Sequence, residues 1–414
     1  MREPGRYLFK YLDRREALKQ MGLAAGALVL SPLLLRRAYA AGATKVFVAR
    51  NGDCFQNTAA IWEMLGGPAR YIDPSDVVVI KANGQWPKQG YTHTGVIKGV
   101  IDGILAIPGF SGEVLICDNV QNYGSAGAFG FDATPANRTH NWTDHNWNSL
   151  AAEYQAAGKP VAAKRWYNSS RNMPATDMTE TADPATGEGW VRSTFDFHGG
   201  KSYLSYPVFR SPLNAGRMID LKNGVWENGA YTGRKVKVIV MPGLNNHGSG
   251  SGDYAGITSA IKAFFGMTEI HTGGGSSFQG YRNIHTSSYS ASSTYGATYA
   301  GELASRYIQT MVAPVLYITA AIWSGHYSRT GGAIQTNAVL ACENPATLDY
   351  VACRDVISPY ADYLDPDLDN NTRRQILACI GGGVGTIVPE EFQVVSCDLS
   401  SRPAAPTDLR IMEI

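Results

Sequence analysis

The 414-residue chain reads as an α/β protein with a mostly parallel sheet built from βαβ units and an inserted, mixed α+β cap. Three observations predict this class. V-V-V-I-K (77–81) and E-V-L-I-C (113–117) are almost unbroken apolar runs, as expected of strands covered on both faces. Between them Val96, Ile97, Val100, Ile101, Ile104 and Leu105 recur at helical spacing, and a strand–helix–strand order implies a right-handed crossover between parallel strands. In the middle of the chain, Trp190–Phe197 and Tyr203–Phe209 alternate as antiparallel strands do, which sets 120–235 apart as an insertion.

The elements follow in order. Lys45–Ala49 is a short β-rich run, Asn57–Leu65 a helix, Val77–Lys81 a strand, Thr94–Ala106 a helix and Glu113–Cys117 a strand. Inside the insertion Ser149–Ala157 reads as helical, Pro160–Trp166 as extended and 168–189 as a polar loop. The core resumes with a strand at Lys235–Met241, a glycine loop and a helix at Ala255–Phe265. Residues 271–300 are Gly, Ser, Thr or Tyr at 20 of 30 positions, the bias of a long functional or poorly ordered loop. A helix at Glu302–Val312, a strand at Val315–Ile322 and a helix at Thr347–Ile357 complete the core. The expected division is 1–40 as an export signal, 41–119 with 236–400 as core, 120–235 as cap and 401–414 as tail.

Composition narrows the function. Charged residues are 17% of the chain and the net charge is +1, which argues against a nucleic-acid binder. Residues 1–40 hold eight Lys/Arg against three acids, so the body is mildly acidic. That N-terminal segment runs D-R-R-E-A-L-K (13–19), an apolar stretch from Met21 to Leu35, then Ala38-Tyr39-Ala40. It resembles a twin-arginine export signal with an A-x-A cleavage site, and the stretch is too short for a stable membrane span. The expected partner is the twin-arginine export machinery and the expected location periplasmic or extracellular. That route carries folded proteins, often with a cofactor already inserted.

The six cysteines (Cys54, Cys117, Cys342, Cys353, Cys379, Cys397) form no C-x-x-C, so no iron–sulfur cluster is expected. An even count in an exported chain permits disulfides, with Cys379–Cys397 and Cys342–Cys353 as local pairings and buried thiols as the alternative.

In open parallel sheets, ligands bind at the carboxyl ends of the strands. Lys81, Asn83 and His93 follow the strand at 77–80, and Asp118 follows the next. Asn245, Asn246 and His247 follow Met241, while His326 and Arg329 follow 315–322. Each has a plainer role available: a solvated strand end for Lys81, a turn for Asn83-Gly84 and a cap for Asp118. H-N-W-T-D-H-N-W (140–147) reads as a loop anchored by tryptophan rather than a metal or sugar site. Gly250-x-Gly252-x-x-Ala255 begins too far past Met241 to make the strand-to-helix turn of a dinucleotide site.

V-V-V-I-K-A-N-G (77–84), T-H-T-G-V-I-K-G-V-I-D-G-I (92–104) and V-L-I-C-D-N (114–119), with V-I-V-M-P-G-L-N-N-H (238–247) and I-T-S-A-I-K-A-F-F-G (257–266), resemble the family known as domain of unknown function number 362. A-C-E-N-P-A-T-L-D (341–349) is similar to its near-C-terminal element. The resemblance implies site roles for Lys81, Asn83, Thr92, Asp118, His247, Thr258, Lys262 and Asp349, with His285 downstream. Asn245, Ala263 and Thr319 stand where the family has Lys, Asn and Asp. Its ferredoxin-like cysteine segment is absent.

The expected function is acid–base chemistry on a small anionic substrate. His247, Lys262, Lys81 and Asp118 would be catalytic, and Asn83, Thr92, Asn245, Thr258 and His285 would bind substrate. A divalent metal on Asp118, His247 and Asp349 is an option, since oxygen and nitrogen donors suit several such ions. The alternative is a non-catalytic binder of a polar ligand such as a carbohydrate.

Overall fold

A computed structural model describes residues 43–120, 128–166, 181–248, 252–269, 277–290 and 295–400. The chain is α/β: a mixed sheet of mostly parallel strands, flanked by helices, beside a smaller antiparallel-dominated sheet. Expectations for 1–40, the tail 401–414 and most of the 168–189 loop fall outside the described residues.

The large sheet contains β1 (Thr44–Arg50), β2 (Val77–Ala82), β3 (Glu113–Asp118), β4 (Val161–Arg165) and, further along the chain, β10 (Val236–Met241), β15 (Leu316–Gly325), β16 (Ala333–Cys342) and β17 (Phe392–Asp398). Their spatial order is β17-β1-β16-β15-β10-β2-β3-β4. Every neighbouring pair is parallel except those made by β16, which runs antiparallel to both β1 and β15. β4 therefore belongs to this sheet, although its residues lie within the stretch read as an insertion.

Strand parity explains the apolar runs. Val77, Val79, Leu115, Val238 and Val240 face one apolar cluster; Val78, Ile80, Val114, Ile116 and Ile239 face the other. Both faces of the central strands are buried, so neither can carry the polar alternation of a half-exposed strand. Lys81 shares parity with Val77 and Val79, which aims its ammonium into a core, and its 1% exposure shows that it stays there.

Helix α1 (Cys54–Leu65) starts in a capping box, Asp53 with Gln56, and stops at Gly66, whose φ of 82° suits glycine. α2 (Thr94–Leu105) connects β2 to β3, burying the apolar positions that sequence spacing marks. α3 (Trp147–Ala156) connects β3 to β4; its Trp147 is fully buried against Phe131 and Tyr91.

The smaller sheet holds β5 (Gly189–Phe197), β6 (Gly200–Arg210), β7 (Arg217–Asp220), β8 (Gly224–Glu227) and β9 (Ala230–Tyr231). β13 (Ser277–Phe278) and β14 (Tyr281–Arg282) extend it from a distant part of the sequence. Part of the biased 271–300 stretch is therefore ordered.

Several elements differ from the sequence expectation. The helix anticipated at Ala255–Phe265 is β12 (Ile257–Thr258), the short α4 (Ala260–Ala263) and a 3₁₀ turn, Phe264–Gly266. β12 forms because Ile257 and Thr258 pair with β11 (Gly243–Asn246). α5 (Gly296–Thr310) begins earlier than Glu302. α6 (Pro345–Ala352) ends in a π turn, Cys353–Ile357. β16, β17 and α7 (Asn371–Gly381) carry no strong sequence signature. Among the described residues no helix is long and apolar enough to cross a membrane. All six cysteines are free thiols.

Candidate functional site

A cleft with about 530 Å³ of empty space opens at the carboxyl ends of β2 and β3. Seven of the expected residues line it: Lys81, Asn83, Asp118, His247, Thr258, Lys262 and His285. They come from five separate stretches of sequence, so the fold alone brings them together.

The floor is an ion pair. Lys81 Nζ lies 3.2 Å from Asp118 Oδ1, with side-chain exposures of 1% and 3%. Lys81 also donates to Asn83 Oδ1 (2.7 Å), and Asp118 Oδ2 accepts from the Gly84 amide (2.8 Å). Burial pulls the Lys81 ammonium down and the Asp118 carboxyl up, while each partner opposes the other's shift. Gly266 makes this approach possible. A methyl there would sit inside van der Waals contact with Asp118 Oδ1 and Lys81 Nζ.

Thr92 and Asn245 stand behind the lining. Thr92 Oγ1 accepts from the Asn83 amide (2.9 Å) and donates to the Met241 carbonyl, tying the end of β2 to the end of β10. Asn245 donates to the Gln89 carbonyl (3.1 Å) and accepts from the Gly325 amide (2.8 Å). Both fix loops that carry lining residues.

The opposite wall is cationic. Lys262, only 6% exposed, reaches from α4 and donates to the Ala255 carbonyl. Arg329 enters from the loop between β15 and β16; its guanidinium stacks 4.8 Å from the Trp86 ring centre. Arg329 Nη1 donates to His247 Nε2 (3.0 Å). A guanidinium only donates, so Nε2 is an acceptor and the imidazole proton sits on Nδ1, facing Thr258 Oγ1 at 2.6 Å. Burial holds His247 well below the ordinary histidine range, and Lys262, Arg329 and His285 add to the effect. His285 is held down to about 4 by burial and by Lys262 and Arg329; its ring meets Phe265 edge-on. Burial also holds Lys262 well below the usual lysine value, with Arg329 reinforcing and Asp253 and Asp349 opposing.

Asp349 lies away from the cleft lining. Its oxygens accept from the Ala260 and Ile261 amides (2.8 and 2.9 Å) at the start of α4, where Ser259 provides no side-chain cap. Burial pushes its carboxyl up to about 6 against those two bonds. Asp118, His247 and Asp349 therefore do not meet at one point. Among the described residues, no group of three His, Cys, Asp or Glu side chains is placed to hold a metal.

Sequence reasoning reached Arg329 through the strand-end rule, but not Gln85, Trp86 or Gly266, which also line the cleft. An N-G dipeptide followed by Gln and Trp carries a turn signal and no chemistry. A glycine that matters for its missing side chain leaves no motif. His93, close to the cleft in sequence, is buried apart from it and held down to about 3 by burial.

No family model, curated protein or solved structure matches the chain. The functional reading rests on the cleft.

Proposed function

We propose that this is an exported enzyme that performs acid–base chemistry on a small anionic substrate bound in the cleft. One observation carries the reading: three basic side chains (Lys81, Lys262, Arg329) and two histidines line a largely buried cleft with a single carboxylate among the described residues. A low-dielectric site lined by an excess of basic groups favours an anion.

Arg329 takes the substrate's anionic group. As it turns from His247 to the substrate it uncovers Nε2, and the arriving negative charge raises the basicity of that nitrogen. His247 then accepts a proton, with Thr258 fixing its tautomer. Lys81, positioned by Asp118 and Asn83, neutralises negative charge that develops on the substrate. A divalent metal on Asp118 and His247 has less support, because Lys81 and Arg329 already occupy those two donors and repel a cation.

In the same reading residues 1–40 are a twin-arginine-type signal. The segment joining β2 to β3 through α2 is a βαβ unit, and 120–235 is largely a cap. The motif resemblance to domain of unknown function number 362 belongs to the same reading.

A non-catalytic binder of a polar ligand is the second reading. It is favoured by the engagement of both His247 ring nitrogens, which occupies that base before ligand arrives. Native mass spectrometry with elemental analysis, on protein folded in its own cytoplasm, tests the first reading. A co-purifying small anion that the protein converts on incubation supports the enzyme. An anion released unchanged supports the binder, and a bound neutral sugar overturns the anionic assignment.

A further inference from the structure

Resting on the anion-site reading, we propose that Lys262 is a covalent nucleophile and that the substrate class is a small carbonyl-bearing carboxylate, such as a 2-oxo acid. Arg329 pairs with the carboxylate, and the carbonyl carbon faces Lys262 Nζ. The amine nitrogen attacks that carbon; the C–N bond forms as the C=O π bond breaks. The oxygen gains a proton to give a carbinolamine, then leaves as water. Both amine protons depart in that water, leaving a neutral imine, and no oxidant or reductant is consumed.

Three placements favour Lys262. Its side chain is buried, lines the cleft and lies four residues before Gly266, whose backbone abuts the Lys81–Asp118 pair. The Lys81–Asp118 pair lines the same cleft and can serve the departing hydroxyl as a proton source. Arg329 lines the cleft beside it, and a desolvated lysine next to a second cation is a recognised form of activated amine; Asp253 and Asp349 oppose that effect. Those two carboxylates also accept from backbone amides, Asp253 from Gly256 and Thr372, Asp349 from Ala260 and Ile261.

Lys81 is the rival amine in the cleft. It is tied to Asp118 at 3.2 Å and Asn83 at 2.7 Å, and that carboxylate favours its protonated form against the effect of burial. The imine would also give the acid–base groups their purpose. Once protonated it draws electrons from the adjacent carbon, which lowers the cost of removing a proton there.

The test is reductive trapping on the full folded chain. The protein is incubated separately with glyoxylate, pyruvate and 2-oxoglutarate, then treated with cyanoborohydride, and the label is located by intact mass and peptide mapping. The expected result is one reduced adduct per chain, on Lys262, slowed by oxalate and absent from Lys262→Arg. The wild-type map stands alone if that variant fails to fold. Absence of an adduct with all three acids, or labelling spread over Lys81 and surface lysines, overturns the proposal. Calorimetric binding of oxalate without any adduct sinks the imine and leaves the anion site standing; absence of both sinks the anion site itself.

Discussion

Replacing Lys81 with Met tests whether the floor of the cleft is built as described. Lys81 and Asp118 lie 3.2 Å apart at 1% and 3% exposure. At an effective dielectric constant of about 20 their attraction is about 5 kcal/mol, which largely offsets the cost of removing two charges from water. The net worth of the pair is therefore small, but the loss of one partner is not. Lys81→Met leaves Asp118 buried with only the Gly84 amide and local backbone, and Asp118→Asn leaves Lys81 with only Asn83. Each single change is expected to destabilise the fold by about 3–5 kcal/mol. The double variant removes both charges and should lie within about 1–2 kcal/mol of wild type. The coupling, read from equilibrium urea unfolding of all four proteins, is then at least about 3 kcal/mol. Single variants costing below about 1 kcal/mol, or a double variant matching the sum of the singles, would refute a buried, mutually dependent pair.

Gly266→Ala pushes a methyl into the same pair and should cost about 1–3 kcal/mol in urea unfolding while weakening anion binding; wild-type stability would contradict the close approach. Acidification should also destabilise the chain. His93, His247 and His285 are held below their ordinary value, so between pH 6.5 and about 4 the unfolded chain binds more protons at these sites. Asp349, raised to about 6, and Asp118, also raised, bind protons more tightly when folded and oppose this. Three histidines, with Lys262 held down as well, outweigh two aspartates, so unfolding free energy should fall on acidification; a rise would reverse the assignment. All six cysteines are free thiols, so alkylation in denaturant without reductant should label six; four or fewer would place a disulfide in the protein.

How legible this molecule is in its sequence depends on the range of the cause. The β2 and β3 runs are legible because double-sided burial forces continuous apolarity. Lys81, Asp118 and His247 are legible because the carboxyl ends of parallel strands collect ligand-facing side chains. Asp349 is an acidic residue whose duty cannot be read locally. It serves the start of α4, 89 residues earlier in the chain, where the sequence supplies no cap. β17 is missed because F-Q-V-V-S-C-D is half-exposed throughout and becomes a strand through in-register pairing with β1, some 350 residues away. Gly266 is missed because its contribution is an absence of atoms. His247 is found for its chemistry, yet its tautomer comes from Arg329 and Thr258, which no spacing rule connects.

The central claim is that the cleft is an anion site organised by Arg329. Calorimetric titration of oxalate into wild-type protein and Arg329→Met tests it most directly. The Trp86 stacking that the variant loses is worth only about 0.5–1 kcal/mol, so the fold should persist. The account predicts one saturable site that weakens with added salt and loses about tenfold or more in affinity, about 1.4 kcal/mol, in the variant. Equal affinity in the two proteins, or no saturable binding to wild type, would contradict it.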